Sequence, residues 1–543
     1  MGQGPALTRR GFVAGAAALP LAGCSRRDAR PALPPLPAAR WIGARHERGH
    51  RLHAAAGMAA MAWPPATRRA AVLIVGAGIA GLAAARAFMR RGVDDVHLLE
   101  LEDAAGGNAR GHRLGGLACP LGAHYLPLPP PEAPEVAEWL HEFGLLRSEA
   151  GRSVPDERHL CHSPQERLFF EGRWIEGLLP PAEPASARLA QYRRFAARVD
   201  ELGRGRRFTL PATRARWSAE HAALDRETFA AWLAREGLDE PALLAHLDYC
   251  CRDDYGAGLA GVSAWAGVHY FASRHGFGLH GDTSDDGARD AVFTWPEGNA
   301  WLVQRLAAPL GERLHTGRVA LALREERRQV HVLAWNEAAG AAEAWSADTV
   351  VLALPLFVAA RLLGGAASAP LREAAAQTGY APWLVANLHL AEPLFDRAGA
   401  APAWDNVIHG ASGLGYVDAA HQSLRPHAGP TVLTAYHALP PQARAALLQD
   451  DAAAWAERVV QEIETAHPDL RLRLARDSPI ELMRWGHAMA VPRPGVATSA
   501  ATGALAALRG ERGVRGRVRF AHADLAGYSV FEEAFSAGHA AAG

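Results

Sequence analysis

Residues 71–107, AVLIVGAGIAGLAAARAFMRRGVDDVHLLELEDAAGG, decide the fold of this chain. Ala71–Val75 is a short apolar run, the pattern of a central parallel strand buried on both faces. Gly76, Gly78 and Gly81 follow at GxGxxG spacing, with Ala77 between the first two. The first glycine permits a tight turn, the second lets a pyrophosphate approach the backbone, and the third lets helix and strand pack closely. Leu82 to Arg91 is Ala-rich, and a helix there aims its positive N-terminal end at the phosphates. Val96–Leu99 reads as the next strand, and Glu100 closes it 19 positions after Gly81. A carboxylate at that place accepts both hydroxyls of an adenosine ribose. Glycine-rich turns alone mean little in a chain with 54 Gly. Strand, glycines, helix, strand and acid in this order specify a dinucleotide-binding βαβ unit.

The rest of the composition frames that unit. A chain of 543 residues and 57.9 kDa exceeds one ordinary core, so two domains are expected. The formal net charge is +0, which gives no support for nucleic-acid binding. All 57 Lys+Arg residues are arginine. No GxSxG elbow or HExxH pair is present, which removes the most legible hydrolase readings. The acidic stretch with Asp282, Asp285, Asp286 and Asp290 lacks EF-hand spacing, and no metal site is expected.

Gly106-Gly107, six residues after Glu100, selects the kind of dinucleotide, since NAD dehydrogenases need no glycines there. The run ELEDAAGGNARG resembles the flavin-containing amine oxidase superfamily, which also covers protoporphyrinogen oxidases and carotenoid desaturases. The resemblance implies FAD as cofactor and a Rossmann-like FAD-binding domain, a doubly wound parallel sheet assembled from discontinuous segments, beside an α+β substrate domain. The family usually follows the glycine pair with arginine. Asn108 stands there in this chain and Arg110 comes two positions later, where it is expected to bring the missing charge to the pyrophosphate.

The same resemblance assigns further contacts. Gly115 to Tyr125 resembles the segment beside the isoalloxazine ring, which places Ala123 at the ring and makes His124 the one catalytic candidate with a positional argument. Val319 maps to a backbone contact with adenine. Asp524 stands where the family's acid holds the ribityl chain, and Gly538 belongs to the closing helix that points at the flavin. Many relatives also hold a lysine that reaches the flavin through water; a chain without lysine lacks that arrangement.

The expected FAD-binding segments are 70–130, 291–368 and 500–543, with substrate-domain segments 131–290 and 369–499. Helices are expected at Glu135–Phe143, Ser186–Leu202, Arg226–Glu236 and Asp451–Ala466. Val319–Leu323 and Gln329–Ala334 read as a hairpin, and Pro382–Leu390 and Thr431–Tyr436 as strands. Trp485–Gly495 resembles a family loop leading back to the cofactor. Asp248–Tyr255 and Trp265–Phe271 carry aromatics at helical spacing and read chiefly as helix core.

The N-terminus carries an address. Thr8-Arg9-Arg10-Gly11-Phe12 matches a twin-arginine export signal, and Leu21-Ala22-Gly23-Cys24 a lipoprotein cleavage box with Cys24 lipidated. Residues 1–23 are thus expected to be a signal peptide, and 24–69, rich in Pro, Arg and Ala, a tether. Twin-arginine machinery exports folded proteins, which suits a cargo loaded with FAD before export. A periplasmic, membrane-anchored lipoprotein is the expected product. Cys119, Cys161, Cys250 and Cys251 fit no metal or haem motif. The expected activity is FAD-dependent oxidation of a small organic substrate, with a hydride passing to flavin N5 and oxygen or quinone as acceptor. The alternatives are a desaturase or dehydrogenase feeding a quinone or protein, and a flavin-binding protein without turnover.

Overall fold

Two sheets carry the architecture of the computed structural model, which describes residues 33–54, 63–205, 207–278, 291–423, 427–510 and 516–543. The twin-arginine signal, Cys24 and the acidic stretch Asp282–Asp290 lie outside the described residues.

The first sheet has seven strands, with Arg68–Val75 at its centre. Val96–Leu99 pairs parallel on one side of it and Ala341–Leu352 parallel on the other. Leu314–His315 and Val518–Phe520 extend the parallel set from the two ends of the chain's long detour. Val330–Asn336 and Arg318–Glu325 add an antiparallel pair, the expected hairpin. Leu73 and Ile74 have no exposed surface, as a strand covered on both faces requires. The helix Ile79–Arg90 leaves directly from Gly78, so the glycine loop is also its N-cap.

The second sheet has eight strands in the order Ala39–Ile42, Ile480–Val491, Gly379–Leu390, Thr431–Ala438, Tyr416–Asp418, Asp405–Ile408, Glu166–Phe170 and Arg173–Glu176. Its long central strand alternates between two cores. Leu384, Ala386 and Leu388 face the helix Ala452–Glu464, while Trp383 and Val385 face a helical layer that includes Ala187–Gly203, Phe229–Arg235, Pro241–Tyr255 and Ala264–Tyr270. Trp265 and Val268 lie in that layer's core, as their spacing predicts. Leu36–Gly543 makes one compact unit. No helix of the described residues is long and apolar enough to cross a membrane.

Three expectations need correction. The tether drawn over 24–69 is in part structural: Ala39–Ile42 pairs parallel with Ile480–Met483, and the helix His46–Ala54 buries Leu52. A four-residue edge strand is too short to show a period, which is why it reads as lead-in. The loop expected at Trp485–Gly495 is strand as far as Val491, because pairing with Gly379–Asn387 overrides the turn signal of Gly486. Gly538, expected at the cofactor, is a helix-contact glycine: a Cβ there would stand 2.1 Å from the Ala80 carbonyl oxygen, so its bareness lets the closing helix Phe531–Ala541 lie against Ile79–Arg90. The four described cysteines are free thiols.

Candidate active site

The glycines of both motifs fold onto one another. Gly76 has φ +100°, and a Cβ on it would meet the Ala353 carbonyl at 2.3 Å. A Cβ on Gly81 would stand 1.9 Å from the Gly76 carbonyl. Gly78 bridges Gly106, whose N–H donates to Ala77 O at 2.8 Å, and Gly107 closes within reach of the Gly78 Cα. The glycines of the two motifs thus make one bare patch of backbone at the N-terminus of Ile79–Arg90, the form an extended pyrophosphate needs.

Glu100 is buried at the strand end beside that patch. Its carboxylate accepts the Ala77 N–H at 2.8 Å and the Glu102 N–H at 2.9 Å, and burial pushes its pKa up. Each oxygen keeps a second lone-pair site for a ribose hydroxyl. The Arg318 N–H donates to Glu100 O at 2.8 Å, which brings the neighbouring Val319 alongside. Arg110 is buried, lies 5.1 Å over the Trp485 ring and 3.7 Å from Glu102, and its Nε has no partner. A buried guanidinium nitrogen without an acceptor suits a site made for an anion.

At the chain's other end, Asp524 has no exposed surface. Its Oδ2 accepts the Leu356 N–H at 3.0 Å and the Tyr380 hydroxyl at 2.5 Å, while His522 Nδ1 stands 3.0 Å from Oδ1. Burial alone would raise this carboxyl, but His522, Tyr380 and the Leu356 amide outweigh it and hold the pKa below its ordinary value. Asp524 Oδ1, faced by His522, keeps a further lone-pair site for a ribityl hydroxyl. The bare glycine patch, the orphan Arg110 donor and the buried Asp524 carboxylate together fit FAD.

Beyond the cradle lies a chamber of rings and carboxylates. Asn108 O accepts the Ala123 N–H at 2.8 Å, which ties the arginine-replacing residue to the expected ring-side segment. Ala123 is exposed although Leu121 and Leu126 on either side are buried. His124 stacks on Tyr436 with centroids 4.4 Å apart, and meets Tyr125 at 5.2 Å and Trp404 at 5.4 Å. The Tyr436 hydroxyl donates to Gly122 O at 3.0 Å, locking the ring to the same segment. Burial lowers the His124 imidazole to about 4, so it is neutral at physiological pH.

Carboxylates stand behind the rings. Burial and the adjacent Asp254 push the pKa of Asp253, near Tyr125, up to about 7 against the pull of Arg274 and Arg252. The Asp405 carboxyl is raised by burial, by Asp253 and by Glu166. Burial likewise lifts Asp254 to about 6, although Arg274 pulls it down. Arg274 reaches Asp254 at 3.3 Å and Glu532, in the first turn of the closing helix, at 3.1 Å.

Sequence reasoning placed Gly76, Ala77, Gly78, Gly81, Glu100, Gly106, Gly107 and Arg110 around one opening and His124 in the chamber wall. It missed Asp253, Trp404, Asp405 and Tyr436 as site residues. Tyr249 and Asp253, four apart on one helix face, were the available signal within an unusual run; Trp404 and Asp405 carried none.

The family described as flavin containing amine oxidoreductase matches residues 79–543. Among solved structures, a putrescine oxidase bound to putrescine superposes with TM-score 0.63 at 16% identity, over 87% of this chain and 98% of that one. Cyclohexylamine oxidase from Brevibacterium oxydans gives TM-score 0.63 at 18% identity, over 87% and 98%. A putative protoporphyrinogen oxidase from an Exiguobacterium species gives 0.56 at 16% identity, over 87% and 97%. At these identities the structures show a shared fold.

Proposed function

The chain belongs to the flavin containing amine oxidoreductases and is an FAD-dependent oxidoreductase, and from that premise we propose that it oxidises an amine seated in the chamber between His124 and the cofactor cradle. The observation that carries this reading is the ring wall of His124, Tyr125, Trp404 and Tyr436 with carboxylates directly behind it. Aromatic faces attract an ammonium group, and a desolvated site strengthens that attraction. The neutral His124 adds no repelling charge. Tyr436, hydrogen-bonded to Gly122 O, orients the wall toward the segment that carries Ala123. FAD held by the glycine cradle and Asp524 would supply the electron sink for a hydride leaving the carbon that bears the amine. The chain's own residues bind and orient the amine and keep water from it.

The test is anaerobic mixing of the FAD-loaded protein with a panel of amines. An amine that bleaches the flavin absorbance supports the reading; a panel that leaves the spectrum unchanged, while an unrelated alcohol or polyene bleaches it, overturns it. Reoxidation of the bleached protein by air or only by a quinone then identifies the acceptor.

The same proposal extends to location. The Thr8–Phe12 and Leu21–Cys24 patterns support export by the twin-arginine machinery and lipid anchoring through Cys24 in the periplasm. Replacing Arg9 and Arg10 together with Lys should leave the protein in the cytoplasm on fractionation, and periplasmic protein from that variant would refute the route.

A further inference from the structure

Resting on the placement of Arg110 at the pyrophosphate, we propose that the segment from Ala39 to Ala54 is a positioning strap. Its Arg45 amide holds the Glu102 carboxylate away from Arg110 and so keeps that guanidinium free for the cofactor. The strap precedes residue 79, where the family match begins.

Its course is fixed at both ends. Ala39–Ile42 runs beside Ile480–Met483, and Arg40 Nε donates to the buried Glu481 carboxylate at 3.0 Å. Gly43 then turns with φ +81°, where a Cβ would collide with Met483 Sδ, and the Ala44 N–H donates to that sulfur at 3.2 Å. Beyond the turn, the helix His46–Ala54 is seated on the other sheet. Arg48 donates to Leu101 O at 3.0 Å and pairs with Asp103 at 2.8 Å, while Arg51 pairs with Glu337 at 2.9 Å. Leu52 is buried in that sheet's core.

Arg45 stands between these anchors, and its N–H donates to both Glu102 oxygens, at 3.0 and 3.3 Å. The ion pair described for Arg110 is with Glu102, and its 3.7 Å separation is too long for a hydrogen bond. Arg110 Nε has no partner, and its stem lies against the cradle: a Cβ on Gly106 would stand 3.0 Å from Arg110 Cγ. A carboxylate so close to a buried guanidinium ordinarily closes onto it as a bidentate pair. The Glu102 backbone cannot carry it away, because its N–H is bound to Glu100 Oε1 at 2.9 Å and its carbonyl accepts the Gly317 N–H at 2.9 Å. Only the side chain is free to turn, and the Arg45 amide occupies it. Arg110 thereby keeps its donors for a phosphate.

The experiment follows flavin fluorescence as FAD leaves the loaded, full-length protein after dilution. Proline lacks the N–H, and its fixed φ is tolerated at the entry to a helix. Arg45→Pro should therefore release FAD about tenfold faster, as Arg110→Ala does. Arg45→Ala keeps the N–H and loses only an exposed pair with Asp103, so its release should stay within about twofold of the parent rate. In an Arg110→Ala background the proline should add less than about twofold, and Glu102→Gln added to Arg45→Pro should bring release back to within about threefold of the parent. Arg48→Ala loosens the helix seat, should speed release about threefold, and serves if the proline variant does not fold. Release at the parent rate from Arg45→Pro, or from Arg48→Ala in its place, overturns the inference and leaves the Arg110 contact standing. Faster release that Glu102→Gln does not correct overturns it too, since a strap that merely supports the fold would behave so. Unchanged release from Arg110→Ala removes the placement and the inference together.

Discussion

The cofactor cradle and the ring-and-carboxylate chamber adjoin one another, yet they are built in opposite ways. The cradle is nearly contiguous: Gly76, Gly78, Gly81, Glu100, Gly106 and Gly107 come from one βαβ unit, and what they present is mostly backbone. The chamber gathers His124, Asp253, Asp405 and Tyr436 from four separate segments, and what it presents is side chains. The difference teaches where tolerance should lie. A backbone site fails when a single atom is added, whereas a side-chain site of several weak partners changes its preference by degrees.

The largest expected effect breaks the cradle. Gly81→Val would drive a side chain into the Gly76 carbonyl, 1.9 Å from the first added carbon, and should yield no soluble flavin-loaded protein, read from the ratio of flavin to protein absorbance. Normal yield and colour would show that the cradle tolerates change as the chamber does.

Asp524→Asn comes next. It removes the charge that His522, Tyr380 and the Leu356 amide support, and should weaken FAD binding to the apoprotein by about 30-fold in a fluorescence titration. Arg110→Ala should weaken it by about tenfold, because a single charge–anion contact is lost while the glycines remain. Unchanged flavin retention would mean that Arg110 serves only Glu102 and Trp485.

The smallest effect belongs to the chamber and depends on pH. Asp253 is raised from 3.8 to about 7 in the fold, so the folded state binds the proton more tightly than the unfolded chain. Its contribution to stability is therefore full below about pH 4 and declines as pH rises through 7. Asp253→Asn should raise the Tm of the substrate-free protein by about 3 °C at pH 8, with the gain vanishing at pH 4. A gain that is the same at both pH values would show that the carboxylate is not the strained group.

The cradle's legibility and the chamber's obscurity have the same origin. Strand, loop and helix from Arg68 to Arg90 are local, so residue types at fixed spacing determine them, and the hairpin at 318–336 and the helix Ala452–Glu464 are legible for the same reason. Gly538 is instructive: its place in a closing helix was readable, but its contact, the Ala80 carbonyl, depends on how two helices far apart in sequence meet. The strand Ala39–Ile42 was unreadable because its partner, Ile480–Met483, lies at the other end of the chain. Trp485 to Val491 looked like loop until its long neighbour at Gly379 supplied the ladder.

By itself the sequence determined a dinucleotide-binding βαβ unit, its glycine pair, its ribose acid and, through the resemblance those motifs carry, FAD. It could do so because a phosphate cradle is a property of backbone, and backbone geometry is written in the spacing of glycines. Only the tertiary structure decided that His124 faces Tyr436, that the charge of Asp253 reaches Asp405, and that Arg110 lies buried over Trp485. Those are electrostatic facts about burial and proximity, and neither exists until distant segments have packed.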